Sequence, residues 1–246
     1  MTLRKRASSG GKRSLEGTRA VAGLEMEDAH GDPRHRRSLA SGRRKLAGRV
    51  RAYVGLGANV GDARGTLGAA VRSLGALPGA RLAGVSRLYV TAPVGVIDQA
   101  PFHNAVVALD VPAGPDPATG GSALLVALKN LERAFGRQER RRWGPRELDL
   151  DLLVFGRARL AIDRPPEGQS VDPARSGRLL EVPHPAAADR LFVLAPLADI
   201  APGLVPPGWR ESVDAARRRR QSLEPPDAVR RVASWDDERG WLSSDE

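Results

Sequence analysis

The sequence predicts an α+β domain with the element order β-α-β-β-α-β, an antiparallel sheet with helices packed on it. Two observations predict it. Apolar residues recur at helical spacing in two separate stretches, Leu67 to Leu77 and Leu124 to Phe135. Around and between those stretches lie four short runs of strand character, each bounded by Gly, Pro or Asp.

The first strand is "RVRAYVGLG", which begins at Arg49 and ends in glycines. A helix follows, with Leu67, Val71, Leu74 and Leu77 on one stripe, Asp62 as its cap and Pro78-Gly79 as its stop. "RLAGVSRLYVTAP" and "FHNAVVALDV" read as the next two strands, joined by a proline-bearing loop. "PAGPDPATGG" reads as a linker. Ser122 is then the expected N-cap of a second helix whose stripe is Leu124, Leu128, Leu131 and Phe135. The fourth strand lies in "LDLDLLVFG". This order is the ferredoxin-like arrangement, with helices on one face of the sheet. Ala158 to Arg178 reads as an exposed polar loop, and "ADRLFVLAPLADIAP" as a last helix.

Charge is distributed unevenly. The 246 residues carry a net charge of +10, but residues 1–50 alone hold 13 Lys and Arg against 5 Asp and Glu. Residues 1–48 therefore read as a disordered basic leader, 49–209 as the folded domain, and 210–246 as a loosely attached tail. There is no cysteine, which excludes disulfides, thiolate catalysis and Fe–S clusters. No run of about 18 apolar residues exists, so no membrane span is expected. The expected compartment is the cytoplasm.

Chemistry concentrates in Arg141 to Gly156, "RRWGPRELDLDLLVFG". Side chains alternate along a strand, so Asp149 and Asp151 share one face while Leu148, Leu150 and Leu152 share the other. The leucines can enter the core and the aspartates can line a cleft. Two carboxylates about 6.5–7 Å apart at the backbone suit Mg²⁺, which takes one or two carboxylates and fills its remaining positions with water and phosphate oxygens. Arg137, Arg140, Arg141, Arg142 and Arg146 lie just upstream, and guanidinium groups suit phosphate. Carboxylates for metal beside arginines for phosphate is the combination phosphoryl transfer needs. Read blandly, the same residues are a solvated strand face and a charged loop.

Other motifs are less specific. "GLGANVGD" has G-x-G-x-x-x-G spacing, one residue off the dinucleotide fingerprint, and no Walker motif occurs. His184 in "VPHP" stands alone, a structural residue as readily as a catalytic one, and Arg190 falls near a helix start that would welcome an anion. His103 and Asn104 are adjacent in a strand, so one of the two faces any given cleft. Asn104 can offer a donor and an acceptor to a heterocycle or serve as a sheet-edge hydrogen bonder.

Taken together, "GLGANVGD", "YVTAPVGVIDQAPFHNAVVAL", "LERAFGRQERRRWGPRELDLDLLVFG" and "VPHPAAADRLFVLAPLADIAP" resemble the 6-hydroxymethyl-7,8-dihydropterin pyrophosphokinase family from about Ala52 to Trp209. The resemblance implies transfer of the diphosphoryl group of ATP to the hydroxymethyl of a reduced pterin, leaving AMP, in folate biosynthesis. It implies that Asp149 and Asp151 bind Mg²⁺, as two ions, and that Glu132, Arg137, Trp143, Arg146, His184 and Arg190 form the ATP site. Arg137, Arg146 and His184 would join the two aspartates in catalysis. Thr91, Val94, Phe102, Asn104 and Phe192 would form the pterin pocket, the ring lying between Phe102 and Phe192 with Asn104 on its edge. ATP and the pterin would be its partners, with other folate enzymes nearby and no specific nucleic acid.

The chain departs from the family pattern at Ala58, at Glu139 where a second arginine is common, at Pro185, and in a longer loop before "VPHP". Glu139 is the one support for a member that binds pterin without turnover. The basic leader supports a different alternative, a ferredoxin-like nucleic-acid-binding module, although few aromatics are available to stack bases.

Overall fold

The computed structural model describes residues 48–93, 98–138, 144–165 and 177–243. The expected leader therefore lies outside the described residues. Strand β1 (Arg49–Ala58) runs between β4 (Phe102–Pro112) and β5 (Asp149–Phe155), antiparallel to both. Ala52, Val54, Leu56 and Ala58 all turn to one side and are buried there. Helices α1 (Ala63–Gly75) and α2 (Pro117–Ala134) cover that side, with Leu67, Val71, Leu74 and Leu128 fully buried. Asp62 caps α1 as expected, its Oδ1 accepting from the Gly65 N–H at 2.9 Å.

Helix α2 starts six residues earlier than the sequence suggests. Its cap is Asp116, not Ser122, and Pro117 occupies the first turn. A proline there has no N–H to waste and its φ is already helical. The glycines that looked like linker serve close packing instead. A Cβ on Gly120 would lie 2.1 Å from the Ala113 carbonyl oxygen, and one on Gly121 would lie 2.9 Å from Leu160 Cδ1.

The expected second strand is two, β2 (Arg81–Val85) and β3 (Leu88–Thr91), both pairing with β4. Between them Ser86 is buried and exchanges hydrogen bonds with Val106: its N–H donates to the Val106 carbonyl and its Oγ accepts from the Val106 N–H, both at 2.9 Å. The segment expected as an exposed loop after Ala158 holds a ribbon, β6 (Leu160–Asp163) with β7 (Arg178–Val182). Its Leu160, Ile162, Leu180 and Val182 pack on the α1/α2 core, which is why it is ordered.

The expected last helix and one further helix cover part of the opposite face, whereas the sequence reading put helices on one face only. Helix α3 (Leu191–Ile200) and α4 (Val213–Gln221) pack with Tyr53, Val106, Ala108, Leu153 and Val154 into a second core. A bulge at Leu153, where Tyr53 pairs with Val154 and Val54 with Leu152, turns both Leu153 and Val154 to this side. The expected loose tail is part of the fold. Beyond α4, β8 (Val229–Asp236) pairs with β3 and β9 (Gly240–Ser243) with β8, giving the sheet order β5-β1-β4-β3-β8-β9 with β2 beside β4. Trp241 is buried, packs edge-on to Trp235 at 4.8 Å, and donates from Nε1 to the Ser86 carbonyl. Aromatic burial, not the polar composition of 210–246, decides the fate of this segment. Among the described residues no helix is long and apolar enough to cross a membrane.

Candidate active site

Helices α3 and α4 stop short of one end of the second face and leave a cavity of about 400 Å³ there. Its floor is a row across three strands. Gly57 pairs in register with Asn104 on one side and Asp149 on the other, and Gly55 pairs with Asp151. A Cβ on Gly57 would lie 3.5 Å from Asn104 Oδ1 and 4.0 Å from Asp149 Cβ. Gly57 thus keeps the floor low between the Asn104 amide and the Asp149 carboxylate. On the reverse face of β5, Leu148, Leu150 and Leu152 are buried, as the alternation requires.

One end of the cavity suits a flat polar ring. Phe102, Thr91, Asn104 and Phe192 line it. Asn104 Nδ2 donates to Thr91 Oγ1 at 3.0 Å, which leaves its Oδ1 toward Gly57. His103, its neighbour, points to the other side of the sheet, where its Nδ1 is buried without a partner among the described residues.

The other end is charged. Arg146, Asp149 and Asp151 line it, and Arg190, whose guanidinium carbon lies 5.7 Å from the Phe192 ring centroid, stands between the two ends. Asp149 Oδ1 lies 2.7 Å from Arg137 Nη1 and 3.3 Å from Arg146 Nη1. Arg137 Nη1 also pairs with Glu132, so one guanidinium bridges the buried carboxylate and the cavity carboxylate. Burial pulls the Arg137 pKa down; Asp149 and Glu132 outweigh it, and the net shift is upward. Glu132 does not line the cavity. It is buried behind β5, where its Oε1 accepts from Lys129 Nζ at 2.7 Å and from the Leu150 N–H at 2.8 Å. His184 stands near the aspartates without lining the wall. Its Nδ1 accepts from the Ala186 N–H at 3.3 Å, and burial lowers its pKa, Asp151 opposing and Arg190 adding to the effect. Val94, Trp143, Glu139 and Arg140 to Arg142 lie outside the described residues.

Two kinds of residue escaped the sequence reading. Asn59, 6% exposed, is a strut: its N–H donates to the Arg146 carbonyl at 2.9 Å, its Oδ1 accepts from the Arg146 N–H at 2.7 Å, and its Nδ2 reaches Gln99 and the Ala100 carbonyl. It ties β1 to both the arginine segment and the segment before Phe102. The only hint was its place inside "GLGANVGD". Arg220 and Glu224 also line the cavity, from the segment read as tail.

The family model described as 7,8-dihydro-6-hydroxymethylpterin-pyrophosphokinase (HPPK) matches residues 53–202. The chain belongs to this family. As a pterin pyrophosphokinase of folate biosynthesis, it transfers the diphosphoryl group of ATP to the hydroxymethyl of 6-hydroxymethyl-7,8-dihydropterin and leaves AMP. The 2-amino-4-hydroxy-6-hydroxymethyldihydropteridine pyrophosphokinase of Methylorubrum extorquens is 42% identical over 63% of this chain and 85% of its own. That of Pseudomonas aeruginosa is 41% identical over 65% and 86%. A Plasmodium falciparum HPPK-DHPS structure superposes with a TM-score of 0.57 at 14% identity, covering 81% of this chain. The chain spans about half of that protein, 52%, so this likeness shows the fold. The matched residues contain both the ring end and the charged end of the cavity, whereas α4, β8 and β9 lie beyond them.

Proposed function

We propose that the diphosphoryl transfer takes place in this cavity and depends on Mg²⁺, held as two ions by Asp149 and Asp151. The observation that carries the reading is the shared face: both aspartates line the same cavity as Asn104, with Asp149 in register with it across Gly57. Among the described residues no group of three metal-ligating side chains occurs. Two carboxylates fit Mg²⁺ in the manner it prefers, with phosphate oxygens and water completing the shell. When bound, Mg²⁺ supplies charge neutralisation on the polyphosphate and acidifies an attacking hydroxyl.

The chain's own residues divide the remaining work. The pterin lies between Phe102 and Phe192, bordered by Val94, with Thr91 and Asn104 on its edge. Arg137, Arg146 and Arg190, with Trp143, Glu132 and His184, take the nucleotide. Arg137 and Arg146 sit on Asp149 in this structure, so they are the nearest cations to a triphosphate arriving there. The hydroxymethyl oxygen bonds to the β-phosphorus in line with the leaving oxygen. The bond from that phosphorus to the oxygen bridging to the α-phosphorus breaks, AMP departs with the oxygen, and the hydroxyl proton passes to solvent. The arginines neutralise charge that grows on the phosphate oxygens. His184 serves as a hydrogen-bonding partner of phosphate, not as the general base.

We place the enzyme in the cytoplasm, supplying its product to a further folate enzyme. The Arabidopsis thaliana relative, 37% identical over 60% of this chain and 23% of its own, is a mitochondrial folate synthesis bifunctional protein. No observation favours nucleic acid as the ligand: in the Arg217 to Arg220 run every guanidinium has a carboxylate partner. The experiment is chromatographic detection of AMP from ATP. AMP should appear with equimolar pterin diphosphate and stop on adding a chelator. AMP formed without pterin, or at a rate indifferent to chelator, would overturn the reading.

A further inference from the structure

We propose that Arg220, carried by α4 outside the family match, is a substrate-binding residue at the ring end of the cavity, oriented by Glu224. The proposal rests on the reading of that end as the pterin site. Four consecutive arginines close α4, and their contacts differ. Arg217 and Arg218 both turn back to Asp214. Arg219 pairs with Glu211 at 2.9 Å and reaches the Ala188 carbonyl at 3.3 Å. Arg220 alone of the four lines the cavity, and so does its partner Glu224. Its Nε donates to Glu224 Oε1 at 2.7 Å, and among the described residues its two terminal nitrogens have no partner. A guanidinium gripped at Nε by a carboxylate has a fixed plane, with further N–H donors directed outward.

The surroundings locate it. Helix α4 packs on α3 and on the short turn Ala187–Asp189, next to Arg190, Leu191 and Phe192 of the cavity wall. The strand that follows brings Val229 into register with Thr91. The helix is firmly seated: the Val213 N–H donates to the Leu204 carbonyl at 2.8 Å, the Asp214 N–H to the Pro202 carbonyl at 3.0 Å, and Val213 and Ala216 are fully buried. The Asn104 amide donates to Thr91 Oγ1 at 3.0 Å and to the Phe102 carbonyl at 3.5 Å, so its oxygen is what faces the cavity. Asn104 therefore reads a donor edge of the ring. An acceptor edge, a carbonyl oxygen and the adjacent ring nitrogen, calls for a donor from another element. The Arg220 fork is a charged donor on the helix-covered side of the pocket.

The test is equilibrium binding of 6-hydroxymethylpterin and, separately, of ATP to the full chain, with thermal melting of each variant. Arg220→Ala should weaken pterin binding about 10-fold, the scale of one charge-assisted hydrogen bond. It should leave ATP affinity and the melting temperature unchanged. Arg220→Lys should fall between, and Glu224→Gln should produce a smaller loss in the same direction. Unchanged pterin affinity in Arg220→Ala overturns the proposal. So does a loss confined to ATP, which would move Arg220 to the phosphate end, and so does an equal loss of both ligands with a lowered melting temperature, which would make it structural. Failure of the unaltered protein to bind the pterin would instead remove the reading of the cavity itself.

Discussion

The two faces of the sheet are built from the same three strands and do opposite things. On the α1/α2 face, β1, β4 and β5 present Val54, Leu56, Val107, Leu109, Leu150 and Leu152, all buried. On the other face the same strands present Gly57, Asn104, Asp149 and Asp151 to a cavity at one end. Alternation makes this possible: a strand can stabilise the fold and carry chemistry in successive residues without either compromising the other. Stability and activity should therefore separate cleanly along β5, and Glu132 is the point where they meet.

The largest effects are expected on the cavity side. Asp149→Ala or Asp151→Ala should reduce AMP formation about 1000-fold, the scale of several kcal/mol of lost transition-state stabilisation. The melting curve should stay close to that of the unaltered protein, because both side chains are partly exposed. The neighbouring residue should behave inversely. Leu150→Ala should lower unfolding stability by about 2–5 kcal/mol, read by urea titration, with turnover per folded molecule preserved.

Glu132→Gln sharpens the comparison, because Glu132 is rooted in the sealed face yet contacts Arg137. It should cost about 2 kcal/mol in urea unfolding through the weakened contacts to Lys129, Arg137 and the Leu150 N–H. It should also raise the KM for ATP by releasing Arg137, so both readouts should move together.

The smallest effect is a pH slope. Burial lowers the His103 pKa from its ordinary 6.5, with Arg64 adding to the shift and Asp62 opposing it. As pH falls the unfolded chain takes up this proton before the folded protein does. The stabilisation is complete above about pH 6.5 and declines from there toward the depressed folded value. His103→Gln should flatten unfolding stability against pH in that window and leave AMP formation at pH 8 unaltered. A slope that persists in full assigns it elsewhere, for example to His184, whose pKa burial also depresses.

Legibility in the sequence followed the kind of signal. The element order of the first core and both apolar stripes were visible because periodicity is local, and the facing of Asp149 and Asp151 followed from counting by twos. Element starts were less visible. Gly120 and Gly121 looked like linker since their use, contact with Ala113 and Leu160, depends on distant residues. The C-terminal segment was misread for a similar reason. Its charge dominates its composition, but Trp241 finds a partner in Ser86, 155 positions earlier. Within the site, residues in quoted motifs were found and residues acting through backbone contacts were not. Asn59 is the clearest case, since its role lies in hydrogen bonds to Arg146 and Ala100 that no spacing announces.

The central claim is that the paired carboxylates of β5 hold the divalent ion together with nucleotide phosphate. Its most direct measurement is Mn²⁺ binding by electron paramagnetic resonance, with α,β-methylene-ATP present and absent. The account predicts tight Mn²⁺ binding only with the nucleotide, lost in Asp149→Ala and in Asp151→Ala while both variants keep a native melting curve. Mn²⁺ bound equally well by the two variants would contradict it.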